Sequence, residues 1–268
     1  MAAQTSFADG TITAAVTGSR IGRVTINRPE KRNALTDAMW RALPAAIAWL
    51  TRDNQARVII IDGAGGRDFS AGADIGEFDT LRKDAETARI YEAGNSDAFR
   101  AVRTCPVPVI ASVRGISFGG GFGLAAAADI RIADETARFA IPAARLGLAY
   151  PLDAVQDLVR ALGDQAARYA FYSTREFSAS EAKALGCLMA LHRPDDLDAE
   201  VNALAEAIAV AAPMSVRASK AAINAHSSHD EAAFASASSL ADATFESEDY
   251  AEGCRAFTQK RRPDFSGR

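Results

Sequence analysis

The sequence predicts an α/β fold in which parallel-paired strands alternate with helices and a helical subdomain closes the chain. Three observations predict it. Short, wholly apolar runs that read as buried strands recur through the first 140 or so residues, helical apolar spacing fills the stretches between them, and strand signals fade after about Leu152.

The elements follow in order. Two β-rich runs, "TITAAVTG" and "RIGRVTINRP", lie close enough to form a hairpin, and Pro29 ends the second by removing a donor. A helix is expected from about Thr36, because Leu35, Met39, Leu43, Ile47 and Leu50 share one face at helical spacing. "ARVIIIDG" then reads as a fully buried strand. The segment "GAGGRDFSAGADIGEF" is Gly-rich and irregular, and a helical pattern follows it to about Arg103. "PVPVIASVRG" is the next buried strand, "GGGFGLAAAA" opens a short helix, and "DIRIAD" and "ARFAIP" supply further strand. Helical patterns such as Val201, Leu204 and Ile208 dominate the rest. The expected division is a core of residues 1–195 and a helical subdomain of residues 196–268.

Composition narrows the function classes. Apolar residues at 49% and charged residues at 24% are ordinary globular values. A net charge of −4, from 30 Lys and Arg against 34 Asp and Glu, argues against a nucleic-acid partner, which would call for a basic face. Cys105, Cys187 and Cys254 are widely spaced and odd in number, which suits a reducing, cytoplasmic setting and gives no zinc spacing. His226 and His229 sit in a polar "HSSH" without nearby ligands and read as a surface pair, so no metal site is expected. No apolar run reaches the ~18 residues of a membrane helix, and "MAAQTSFADG" lacks a signal-peptide pattern, so a soluble, unprocessed protein is expected.

The stretch "ASVRGISFGGGFGLAAAADI" poses the chemical question, with Gly119, Gly120, Gly121 and Gly123 between an apolar strand and a run of alanines. "GISFG" matches a nucleophile elbow with Ser117 as nucleophile, but His226 and His229 precede about forty residues of helical pattern instead of lying on a loop near the chain end. "GFGLAA" matches a dinucleotide fingerprint, yet its helix is short and Asp134 arrives too early. The third reading brings a helix N-terminus, with free N–H groups and a positive dipole end, against a substrate oxygen. A second Gly/Ala-rich turn, "FSAGADI", follows an earlier strand, so two turns could aim two amides at one carbonyl.

Taken with "NRPEKRNAL" (Asn27 to Leu35), "FSAGADIGEF" (Phe69 to Phe78), "VRGISFGGGFGLAAAADIRIA" (Val113 to Ala133), "FAIPAARLGL" (Phe139 to Leu148) and "FTQKRRPDF" (Phe257 to Phe265), the chain resembles the crotonase superfamily, the enoyl-CoA hydratase/isomerase group. The resemblance extends over nearly the whole length. It implies a crotonase-like β/α spiral core with a helical C-terminal part, assembled as homotrimers or dimers of trimers. An acyl-CoA thioester is the implied substrate, with no separate cofactor because coenzyme A is part of that substrate. The N–H groups of Ala71 and Gly120 are the implied oxyanion hole, where each pre-aimed donor is worth roughly 3 kcal/mol of barrier. The same resemblance places Ala34 and the backbone of Ala73, Asp74 and Ile75 against the substrate, with the last three at the adenine. It sets Lys31 or Arg32 near the CoA phosphates, and Phe257 and Lys260 at the nucleotide from this or a neighbouring subunit.

Family hydratases carry one glutamate three residues after the oxyanion glycine and another after the proline of the "F-x-x-P" element, and here those positions are Gly123 and Ala143. Neither side chain can take a proton from water or deliver one to carbon. Isomerisation or decarboxylation is therefore expected over hydration, with a catalytically inactive acyl-CoA-binding paralogue as the alternative. Asp153 and Tyr150 are the candidate replacement groups, and Glu77 a weaker one. Asp153 also reads as an acid in the first turn of a helix behind Pro151, where it complements the dipole.

Overall fold

The structure, a computed structural model, describes residues 2–228 and 230–268, apart from the side chain of Ser228. The surface role expected of His229 lies outside the described residues. The strands are β1 (Ala3–Phe7), β2 (Ile12–Val16), β3 (Ile21–Ile26), β4 (Val58–Gly63), β5 (Val109–Val113), β6 (Ile116–Phe118), β7 (Ile130–Asp134), β8 (Arg138–Ala140), β9 (Phe177–Ser178) and β10 (Ala190–His192). The helices are α1 (Asp37–Ala48), α2 (Phe78–Leu81), α3 (Ala85–Arg103), α4 (Gly120–Ala127), α5 (Leu152–Leu162), α6 (Asp164–Ser173), α7 (Ala179–Ala184), α8 (Leu197–Ala209), α9 (Pro213–Ser228), α10 (Glu231–Phe245) and α11 (Glu248–Gln259).

Seven strands form the main sheet in the order β1-β2-β3-β4-β5-β7-β10, and β6-β8-β9 form a second, smaller one. The first three strands pair antiparallel through short turns, and every later pair in the main sheet is parallel because a helix crosses over between strands. Burial follows from this. β2 alternates, with Ile12, Ala14 and Val16 buried, whereas β5 is buried at every position because both faces of the sheet are covered. Strand β1 carries no apolar signal and was not expected, nor were β9 and β10 beyond Leu152; pairing with a neighbouring strand, not composition, makes them strands.

Helix α1 begins where Thr36 Oγ1 accepts the Met39 N–H at 3.3 Å, and it buries Met39, Trp40, Leu43, Ala46 and Ile47. Helix α3 starts from a capping box between Asp84 and Thr87 and buries Tyr91, Asn95, Ala98, Phe99 and Val102 toward α1. Trp40 and Phe99 meet edge to face at 5.5 Å across that contact. On the opposite sheet face, Leu197, Val201, Ala205 and Ala209 of α8 cover Ile21, Val58, Ile60, Ile110 and Ile132. Helix α8, which follows the division expected at residue 195, thus packs directly on the sheet. Among the described residues no single helix is long and apolar enough to cross a membrane; α8 and α9 together are, but they meet at a bend of 106°.

Candidate active site

Two turns meet above the carboxyl ends of the parallel strands. The turn after β4 is stitched down by Ser70, which is fully buried: its N–H donates to the Ile116 carbonyl at 3.0 Å, its carbonyl accepts from Phe118 N at 3.0 Å, and its Oγ donates to the Asn33 carbonyl at 2.7 Å. Along the other edge, segment 32–35 pairs with segment 71–74. Ala71 N donates to the Arg32 carbonyl at 2.9 Å, Leu35 N to the Gly72 carbonyl at 2.7 Å, and Asp74 N to the Leu35 carbonyl at 2.8 Å, while Gly72 N donates to Ser70 Oγ at 3.1 Å. That uses the amides of 71, 72 and 74. The amide of Ala73 has no acceptor among the described residues, and neither has that of Gly120 at the open start of α4.

The two unpartnered amides are close. A methyl built on Gly72 would stand 3.0 Å from Gly120 N, and one built on Gly120 would stand 3.9 Å from Ala73 N. With standard bond lengths this bounds the two nitrogens at about 6 Å, a spacing at which one oxygen can lie about 3 Å from both. The expected donor Ala71 is corrected here: it borders the cavity, but its N–H is turned into the Arg32 carbonyl, and Ala73 supplies the unused donor instead.

A cavity of about 80 Å³ opens at these amides. Its apolar wall includes Phe78, Phe99, Leu146 and Leu148, and its polar side chains are Arg82, Glu92, Asn95 and Tyr150. Arg82 pairs with Glu92 while its guanidinium lies 4.4 Å from the Phe78 ring centre and 5.2 Å from that of Tyr91. The Tyr150 ring stands edge-on to Phe171 at 5.6 Å, and a methyl built on Gly119 would be 3.4 Å from its hydroxyl. That hydroxyl makes no hydrogen bond among the described residues, and burial pushes its pKa up, so it stays protonated. Larger hollows, of about 730, 900, 330 and 720 Å³, lie elsewhere and touch neither amide.

The family model for enoyl-CoA hydratase/isomerase matches residues 17–268. The chain belongs to the enoyl-CoA hydratase/isomerase family. As a member it is an acyl-CoA-processing enzyme. It is 33% identical over 244 residues to a short-chain-enoyl-CoA hydratase of Clostridium acetobutylicum, covering 91% of this chain and 93% of that one. It is 34% identical over 247 residues to a mevalonyl-coenzyme A hydratase of Aspergillus fumigatus, covering 90% of each. A solved enoyl-CoA hydratase/carnithine racemase from Magnetospirillum magneticum superposes with a TM-score of 0.90 at 36% identity, covering 96% of each chain.

Within this enoyl-CoA hydratase/isomerase fold, positions 123 and 143 carry no carboxylate. Gly123 faces Phe99, and a methyl there would lie 3.0 Å from the ring's Cζ and 3.2 Å from Cε1. Phe99 therefore fills the room a glutamate would need. Ala143 is buried on the cavity wall. Asp153 is not brought to the cavity: it sits in the first turn of α5, accepts from Ser96 Oγ at 3.0 Å and lies 3.6 Å from Arg103. Glu77 accepts the Asp37 N–H at 2.8 Å and so caps the start of α1. Ser117 is wholly buried and off the cavity wall, and among the described residues its hydroxyl has no hydrogen-bond partner, neither His192 nor His226, so none of them supplies the base of the elbow reading. Among the described residues no group of three or more His, Cys, Asp or Glu could hold a metal.

The expected substrate contacts divide. Ala73 and the exposed Ile75 line the cavity, and Lys31 is exposed at its turn, with no ion pair among the described residues. Arg32 is committed to Asp68 through two hydrogen bonds of 2.9 Å. Burial works against the Asp68 charge, yet the Arg32 fork and the Ile116 N–H hold its carboxyl below the usual range. Asp74 pairs with Arg28 at 2.5 Å and caps Gly76, and that pairing holds its carboxyl low; its role is to fix the turn. Ala34 is buried, with its carbonyl 3.3 Å from Arg28 Nη1. Phe257, 87% exposed, and Lys260 end α11 and do not reach this cavity within one chain. Sequence reasoning missed Arg82, Glu92 and Asn95, which lie at irregular spacing on a stretch whose helical pattern speaks only of its buried face.

Proposed function

We propose that this enzyme generates a thioester enolate by decarboxylation of a 2-carboxyacyl-CoA of the malonyl type. The carboxylate leaves as carbon dioxide, the pair of electrons from the broken C–C bond passes into the thioester, and the negative oxygen is received by the N–H groups of Ala73 and Gly120. The Tyr150 hydroxyl then gives its proton to the α-carbon and is reprotonated from solvent. The observation that carries this reading is the combination of two unpartnered amides with the lack of a carboxylate at Ala143 on the cavity wall and at Gly123 behind Phe99. Losing carbon dioxide makes an enolate without a base; adding water needs groups to move two protons. The relatives named as hydratases are the reason hydration stays in the test.

Double-bond isomerisation is the second reading, favoured by Glu92, a carboxylate on the cavity wall that could carry a proton between carbons. Purified protein offered malonyl-type, 3-enoyl- and crotonyl-CoA separates the possibilities. Release of carbon dioxide from the first supports the proposal. Turnover of 3-enoyl-CoA alone, abolished by Glu92→Gln, replaces it with isomerisation, and brisk hydration of crotonyl-CoA overturns both. Binding without any turnover identifies a catalytically inactive acyl-CoA-binding paralogue. No cofactor beyond the substrate's coenzyme A enters this reading. The exposed Phe257, with Val210, Ile223 and Phe245 also exposed, supports a homotrimer or dimer of trimers in which α11 serves a neighbour's nucleotide; light scattering reads the mass.

A further inference from the structure

One side of the cavity is polar in a way that enolate formation does not use. Arg82 and Glu92 form an ion pair on its wall, and Asn95, 6% exposed, donates through Nδ2 to Glu92 Oε2 at 3.3 Å. That bond fixes the amide's orientation, since turning it over would set the oxygen against a carboxylate. The Asn95 Oδ1 is then buried with no donor among the described residues. Unmet buried acceptors are uncommon and ask for a partner.

Three classes of acyl group can be weighed against this wall. A plain alkyl chain would be served better by apolar side chains of similar volume, because a buried ion pair seldom recovers its desolvation. A second carboxylate, beyond the one lost as carbon dioxide, finds Arg82 already neutralised by Glu92. A neutral hydrogen-bond donor meets what the wall lacks. We infer that the acyl group bound here carries a hydroxyl or similar neutral donor, received by Asn95 Oδ1, with the Arg82–Glu92 pair holding Asn95 in register. The inference rests on reading this cavity as the acyl-CoA site.

Calorimetric titration with butyryl-, 3-hydroxybutyryl-, 4-hydroxybutyryl- and succinyl-CoA tests it at nearly constant chain length, using thioesters that cannot lose carbon dioxide by the proposed route. At least one hydroxybutyryl isomer should bind about tenfold tighter than butyryl-CoA, as expected when an analogue leaves a buried acceptor unpaired. Asn95→Leu should bring that ratio to within about twofold of one. If Asn95→Leu does not fold, the joint change Arg82→Met and Glu92→Met, which strands no charge, should lower the ratio in the same way. Butyryl-CoA binding as tightly as both hydroxy isomers, succinyl-CoA binding tightest, or an unchanged ratio in the variants overturns the inference and leaves the acyl-CoA reading standing. Failure of all four to bind overturns both.

Discussion

Gly72→Ala is the sharpest perturbation of the two-amide arrangement. Gly72 has φ of +89°, and an added methyl would stand 2.6 Å from the Phe118 carbonyl oxygen and 3.0 Å from Gly120 N. Two effects add. A left-handed φ costs an alanine roughly 1–2 kcal/mol, and overlap with main chain that cannot rotate aside costs roughly 1–3 kcal/mol more. We therefore expect a loss of about 2–5 kcal/mol in urea unfolding. Relief of the overlap requires the two turns to part by several tenths of an ångström, which moves Ala73 N and Gly120 N off a common oxygen. Turnover of the active thioester should fall about 10²–10³-fold, the effect of losing one such donor. Gly186→Ala isolates the first effect, because Gly186 has φ of +78° with nothing within 4 Å of the added methyl; it should lose only about 1–2 kcal/mol and keep its turnover. A Gly72→Ala protein no less stable than Gly186→Ala, and as fast as wild type, would refute the close approach of the turns and the convergence of their amides.

Three further outcomes are expected. Gly123→Glu should destabilise the fold by driving into the Phe99 ring and should confer no crotonyl-CoA hydration, and adding Phe99→Ala should recover part of the stability; denaturation curves and a hydration assay read both. Tyr150→Phe should slow decarboxylation at least about 100-fold if the hydroxyl is the proton donor, and an unaltered rate in a carbon dioxide release assay assigns the proton to solvent. Burial raises the Asp157 carboxyl to about 6 against the pull of Arg103 and Arg160. Because the folded state holds this proton to higher pH than an unfolded aspartate of about 3.9, the stability it contributes is complete below that value and is lost as pH rises through 6. Asp157→Asn should flatten the stability curve across that window, and unchanged slopes count against it.

Much of the frame was legible from short-range patterns. The helical spacing of Met39, Leu43 and Ile47, the apolar run of β4 and the glycine turn into α4 each speak of structure within a few residues, where dihedral preference and side-chain period are set by the chain itself. The order of the family motifs, and the absence of acid at Gly123 and Ala143, are likewise properties of the sequence alone. Tertiary pairing decided the rest. "SAGA" presents two alanines around one glycine, and nothing local says which amide stays unused; bonding of Ala71, Gly72 and Asp74 to residues 32, 70, 35 and their neighbours leaves Ala73 as the remainder. Phe99 meets Gly123 because α3 packs on α4, Arg82 meets Glu92 because α2 folds back on α3, and Asp153 faces Arg103 instead of the cavity because α5 packs on α3. A catalytic geometry is a set of distances between remote segments, and those distances are fixed only when the segments' hydrogen bonds and packed faces compete for one another across the whole fold.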